Sequence, residues 1–179
     1  MSANKSKNRR LGLLGGTFDP PHKGHVEISK YAIKKLNLSS LIWAITKKNP
    51  MKKNPFLTLK KRVLLSKNKV NKIKKVKVKS FDKTIRSSKT IDLIKYINKN
   101  KKLQIFFLMG SDNLISFHKW HEWKKISGLV KIVVFPRKGF IKKLSRCKAF
   151  KVLGKEKILF MKSKKVDISS SKLRKNYVK

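Results

Sequence analysis

The stretch Gly15-Gly16-Thr17-Phe18-Asp19-Pro20-Pro21-His22-Lys23-Gly24-His25 constrains the fold more than any other part of the chain. It follows a short apolar run, residues 11–14, with the length of a buried parallel strand. It precedes an amphipathic stretch, residues 26–36, with apolar Val26, Ile33 and Leu36 set among lysines. Strand, glycine-rich turn and helix in that order make an anion site. The glycines let backbone N–H groups approach closely, and the helix start adds the positive end of its dipole. His22 and His25, three residues apart at the helix entrance, reach one anion from the same side and donate to phosphate oxygens, and a bound anion favours their charged forms. The His25 ring is expected to face a polar cleft and to add little to packing. His-x-x-His also suits zinc, and Gly-Gly and Pro-Pro also suit ordinary turns. With a single cysteine and no carboxylate cluster nearby, zinc lacks ligands, and the strand–turn–helix context favours a phosphate cradle.

Downstream, short apolar runs keep alternating with helical patterns. Residues 41–45 read as a second buried strand running into a polar loop, 46–53, at its carboxyl end, where open α/β sheets bind ligands. Thr58 is placed to cap a helix over 59–66, residues 76–78 alternate as a strand with one solvated face, and 80–88 read as loop. A helix over 91–97 carries Ile91, Ile94 and Ile97 on one side, with Ser88 or Thr90 as its cap. Residues 103–109 are the most apolar run, 129–135 a further buried strand and 158–161 a last one, while 140–157 show no clear pattern. The alternation predicts an α/β fold: a single doubly wound, Rossmann-like parallel sheet with helices on both faces and its site above the strand ends. Residues 10–179 form that one domain, behind a basic tail at 1–9 expected to be disordered.

Charge bears on partners more than on fold. Against 8 Asp and Glu stand 49 Lys and Arg, a formal charge of +41 on 179 residues, which favours nucleotides, RNA or anionic membrane surfaces. The lysines are spread almost evenly and no stacked-aromatic RNA motif is visible, so nucleic acid is expected to bind only non-specifically if at all. Cys147 stands alone, which rules out an intramolecular disulfide and agrees with a reducing cytosol. No apolar run has the length of a signal core or a membrane span, so a soluble, cytoplasmic protein without a membrane partner is expected.

Three further stretches carry candidate chemistry. Gly110-Ser111-Asp112-Asn113 places a glycine after a strand, where sugar or phosphate can approach the backbone, and Asp112 suits ribose hydroxyls or a helix N-cap equally. In the aromatic segment 117–123, Trp120 and Trp123 would share one side of a helix, which on its own makes both core residues. Ile168, Ser169, Ser170 and Ser171 with Arg174 offer hydroxyls, backbone N–H groups and a guanidinium at a helix start. That set suits a polyphosphate, although a serine run alone is more often a plain cap.

The segment 15–25 is similar to the signature of the nucleotidyltransferase superfamily, whose His-x-Gly-His element, here His22-Lys23-Gly24-His25, handles nucleotide phosphates. Together with Asn49-Pro50-Met51-Lys52, Ser88-Lys89-Thr90-Ile91-Asp92, Gly110-Ser111-Asp112 with Trp120, and the 168–174 segment, the chain resembles the bacterial nicotinate-nucleotide adenylyltransferases. The resemblance implies adenylyl transfer from ATP to nicotinate mononucleotide, giving deamido-NAD and pyrophosphate in NAD biosynthesis. It also implies Mg2+ accompanying ATP, with no metal held by protein side chains. ATP would be bound by Gly15, Gly16, Thr17, Phe18, His22, His25, Gly110, Asp112, Arg137, Ile168, Ser170, Ser171 and Arg174, with His22, His25 and Arg174 as the catalytic set. The mononucleotide would be bound by Lys52, Thr90, Trp120 and His121. Trp120 would stack on the ring, and backbone N–H groups near Thr90 and His121 would hold its carboxylate. Lys89 stands where these proteins usually have Tyr, and Ser171 where Thr is usual. Many of them continue into another helix beyond the point matching Lys179, a difference expected to bear on solubility or on a homo-oligomer more than on chemistry. The resemblance leaves open a phosphopantetheine or nicotinamide mononucleotide acceptor, and, in another class, a basic RNA-binding protein on the same scaffold. The His22/His25 pair and Arg174 argue against the last.

Overall fold

Apolar runs without polar alternation must be covered on both faces. The two longest, in β1 (Arg9–Gly16) and β4 (Leu103–Gly110), accordingly pair with each other at the centre of the sheet. The computed structural model describes residues 9–49, 54–99, 103–137 and 139–161. With β2 (Ser40–Ile45), β3 (Val76–Lys79), β5 (Lys131–Phe135) and β6 (Ile158–Phe160), six parallel strands stand in the order β3-β2-β1-β4-β5-β6. The chain reverses its direction of winding between β1 and β4, so a crevice opens above their carboxyl ends. At one edge, β3 alternates buried Val76 with exposed Lys77 and Lys79, charges that discourage pairing with another strand.

Helices cover both faces, as the alternation of elements predicts. On one side α1 (Lys23–Lys35) and α2 (Leu59–Val70) pack a core containing Leu14, Trp43, Leu108 and Val133. On the other, α4 (Thr90–Ile97), α5 (Ser111–Ser116), a 3₁₀ turn (Phe117–Lys119), α6 (Trp123–Leu129), α7 (Ile141–Leu144) and α8 (Lys148–Lys157) pack Leu13, Phe107, Phe117 and Ile132. Among the described residues no helix is long and apolar enough to cross a membrane.

Several boundaries differ from expectation for physical reasons. Gly15 and Gly16 are the last residues of β1, in register with Ala44 and Ile45, and not turn residues. The stretch expected as loop at 80–88 contains a short helix, α3 (Asp82–Ile85). Neither Ser88 nor Thr90 caps α4. Lys89 is the N-cap, and Ser87 Oγ accepts from its N–H at 3.1 Å while donating to Asp92 at 2.6 Å. Leu129 ends α6, so β5 begins two residues later than expected. The patternless 140–157 holds two helices, the second broken at Gly154, and a broken helix shows no single period. Thr58 does cap α2, its hydroxyl accepting from Lys61 N. Of the basic tail, residues 1–8 lie outside the described residues.

Candidate active site

Three glycines stand where β1 and β4 end, but for different reasons. A Cβ on Gly15 or Gly16 would meet protein atoms no closer than 3.5 Å, and neither has a positive φ. The protein's own packing does not require them; both line a cavity, which a side chain at either position would narrow. Gly110 leaves room for the side chains of Asp112 and Arg137. A Cβ there would collide with Asp112 Oδ1 and come within 3.1 Å of Arg137 Nε, and without one Arg137 Nη1 lies 3.5 Å from Asp112 Oδ2. Asp112 is in the first turn of α5 and is not its N-cap, which is Gly110.

Beyond β1 the chain turns through Phe18 at φ 50, burying that ring between Trp43, 4.9 Å away, and His25, 4.7 Å away. Phe18 therefore offers a ligand its backbone only. His22 is the N-cap of α1, and its N–H donates to His25 Nδ1 at 3.1 Å, closing the first turn as a capping box does. Because Nδ1 accepts, the neutral His25 ring keeps its proton on Nε2. The two imidazoles stack with centroids 3.7 Å apart. Trp43 Nε1 donates to Ser29 Oγ, and Ser29 Oγ to His25 O, which ties α1 to β2 below the pair. His22 is only 4% exposed, and its pKa falls to about 4, first through burial and then through the positive charges of Arg137 and Lys69. His22 Nδ1 and Asp112 Oδ1 are buried without a hydrogen-bond partner among the described residues. Unpaired buried polar atoms are costly in a finished core, and two of them beside one cavity are where a polar ligand would find partners.

Next to this corner lies a cavity of about 350 Å³, within the range of small-ligand sites. Its walls come from Gly15 to Thr17, the end of β2 with Thr46 and Lys48, α3, the start of α4 and the Trp120–His121 turn. Phe81, Ile85, Leu93 and Phe107 make it apolar in part, and Thr46, Ser88, Thr90 and Asn113 add polar groups. Trp120 rests edge-on against Phe117 at 5.3 Å and Phe107 at 6.1 Å, so the core holds the indole that lines the cavity. Trp123 packs on the other side of the turn against Phe117 at 5.9 Å, as a core residue.

A family model of cytidylyltransferase-like proteins matches residues 13–176. A probable nicotinate-nucleotide adenylyltransferase of Pelagibacter ubique (strain HTCC1062) is 48% identical over 169 residues, 94% of either chain. The chain belongs to the nicotinate-nucleotide adenylyltransferases. A probable member from Rhizobium meliloti (strain 1021) is 35% identical over 72% of this chain and 69% of its own. The fold matches that of the Plasmodium falciparum nicotinic acid mononucleotide adenylyltransferase complexed with NaAD, with a TM-score of 0.73 at 20% identity, over 93% of this chain and 83% of that one.

In this adenylyltransferase the expected site residues fall into two groups. Gly15, Gly16, Thr17, Thr90, Trp120 and His121 share the cavity. His22, His25, Gly110, Asp112 and Arg137 gather beside it above the ends of β1, β4 and β5. Lys52, Ile168, Ser170, Ser171 and Arg174 lie outside the described residues. Sequence reasoning passed over Arg62, which is 1% exposed and donates to main-chain carbonyls on the cavity side. The available signal was its place on α2: Leu59, Arg62, Val63, Ser66 and Val70 form a helical stripe, and a charge on such a stripe is buried for a reason. Lys48, Lys89 and Lys119 also line the cavity and give it a positive surround.

Proposed function

We propose that the chain transfers the adenylyl group of ATP to nicotinate mononucleotide, yielding deamido-NAD and pyrophosphate. The observation that carries this is the cavity at the strand-order reversal, where Thr90, Trp120 and His121 face Gly15 to Thr17 across a mononucleotide-sized space beside the histidine corner. The indole suits an aromatic ring, and the backbone near Thr90 and His121 offers N–H groups to its carboxylate. The ATP phosphates then lie over His22, His25 and Arg137, with Asp112 Oδ1 free to accept from a ribose hydroxyl.

The acceptor's 5′-phosphate oxygen is already anionic and attacks the α-phosphorus in line. The bond from that phosphorus to the bridging oxygen breaks, and pyrophosphate leaves with its electron pair. No enzyme nucleophile is needed; alignment and charge relief do the catalysis. His25 Nε2–H donates to the phosphate oxygens, and Arg137 supplies a fixed positive charge. Mg2+ would accompany ATP as part of the MgATP substrate. There it offsets phosphate charge.

Pyrophosphate release with ATP and, in turn, nicotinate mononucleotide, nicotinamide mononucleotide and phosphopantetheine tests this. The carboxylate-bearing acceptor should win over its amide by about 1–3 kcal/mol in kcat/KM, the scale of charge-assisted hydrogen bonds. Equal use of both would remove the Thr90/His121 pocket assignment, and preference for phosphopantetheine would replace the acceptor altogether.

A further inference from the structure

Arg62 is a buried cation whose hydrogen bonds all go to backbone. Nη1 donates to Thr17 O at 2.6 Å and Thr46 O at 2.8 Å, Nη2 to Lys47 O at 3.0 Å, and Nε to Leu57 O at 3.0 Å. Those carbonyls belong to three segments: the turn after β1, the loop after β2 and the lead into α2. Two carboxylates hold the same segments through their donors. Asp19, 3% exposed, accepts from Phe56 N at 2.7 Å and Leu57 N at 2.9 Å. Asp82 Oδ2 accepts from Lys47 N at 2.6 Å and Thr46 Oγ1 at 3.0 Å. Burial lowers the Arg62 pKa, and the charges of Asp19 and Asp82 counter it.

Stability is a poor explanation for this arrangement. Apolar residues of similar volume commonly match or exceed buried charge networks in stability. What an apolar residue, or a lysine with its point charge, cannot do is reach four carbonyls in fixed directions from one rigid fork. Thr17, Thr46 and Asp82 all line the cavity.

We infer that Arg62, set between Asp19 and Asp82, is a positioning residue: it fixes the spacing of the β1 and β2 loops and thereby the fit of the acceptor mononucleotide. The inference rests on the proposed reading of the cavity as the acceptor site. Arg62→Lys keeps the charge and loses the fork; Val70→Ala, in the core on the same helix, is the control for plain destabilisation. Both are compared with the unaltered full chain at a temperature where circular dichroism shows all three folded. Arg62→Lys should raise KM for nicotinate mononucleotide roughly tenfold or more and leave KM for ATP within about threefold, since small misplacements act on the group that is misplaced. Hydrogen exchange at the amides of Lys47, Phe56 and Leu57 should speed up on the order of tenfold with β4 unchanged, whereas Val70→Ala should leave these local ratios alone. A uniform loss of stability with both KM values unchanged, or no local change in exchange, overturns the inference. If Arg62→Lys does not fold, Asp82→Asn, which weakens only the outer half of the network, must raise the acceptor KM in the same way and speed exchange at Lys47 with Phe56 and Leu57 unchanged, and an unchanged acceptor KM overturns the inference. If the unaltered chain fails to use nicotinate mononucleotide, the function proposal falls, and the exchange measurement still decides whether Arg62 orders the loops.

Discussion

On the proposed function His25 has two jobs that the sequence motif shows as one. Its Nδ1 accepts from His22 N and closes the first turn of α1, so the expectation that the ring adds little to stability needs correcting. His25→Ala should cost about 1 kcal/mol of stability from the lost cap, besides lowering kcat by about two to three orders of magnitude through the lost transition-state donor. Gln suits this helical position and can still accept from the N-cap N–H. His25→Gln should therefore restore the melting temperature while kcat stays low; recovery of both would assign the ring to structure alone. His22 gives the pH dependence. Its pKa of about 4 in the fold lies below the ordinary 6.5, so between those values the unfolded chain binds the extra proton. The stability tied to neutral His22 is complete above pH 6.5 and is lost as the pH falls toward 4. His22→Asn keeps a capping side chain and should flatten the fall in melting temperature over that window; an unchanged slope would place the titration elsewhere.

At the scale of elements, the turn from α5 into α6 sets the Trp120 indole against the cavity. Trp120→Leu keeps bulk against Phe117 and Phe107 and loses the aromatic surface. KM for the mononucleotide should rise roughly tenfold, the equivalent of about 1 kcal/mol of stacking, with KM for ATP little changed. A rise in the ATP value instead would make Trp120 an adenine contact. Within α8, Gly154 has φ 70 and ψ 178, a conformation open in practice to glycine alone, and nothing lies within 4 Å of where a Cβ would stand. Gly154→Ala should thus cost about 1–3 kcal/mol through the backbone only, leaving kcat and both KM values unaltered in the folded protein. A thermal melt paired with kinetics checks both halves.

For the whole molecule the charge decides behaviour in salt. The ion pairs Lys95–Glu122, Lys125–Glu122 and Arg137–Asp112 engage few of the cations, and with 8 acidic residues against 49 basic ones most charge is uncompensated. Self-repulsion destabilises such a fold, and screening relieves it over a Debye length of about 10 Å at 0.1 M salt. The melting temperature should rise with added sodium chloride, while kcat/KM for the anionic substrates falls as steering weakens. A melting temperature that drops with salt would show that specific ion pairs outweigh the repulsion.

From sequence alone came the parallel α/β class, the place of nearly every strand and the strand–helix junction proposed to cradle phosphate. Each is written locally: in the unbroken apolar runs of β1, β4 and β5, and in glycines followed by a helix start. Family motifs added Thr90, Trp120 and His121 as residues of one site, and the tertiary structure brought them to a common cavity from two separate elements. Only that structure showed His22 buried and driven toward its neutral form, Phe18 turned into the core, and Arg62 bonded to three loops. These depend on contacts between segments far apart in the chain, where burial and hydrogen-bond direction are set by the partner and leave no period or spacing in the residues themselves.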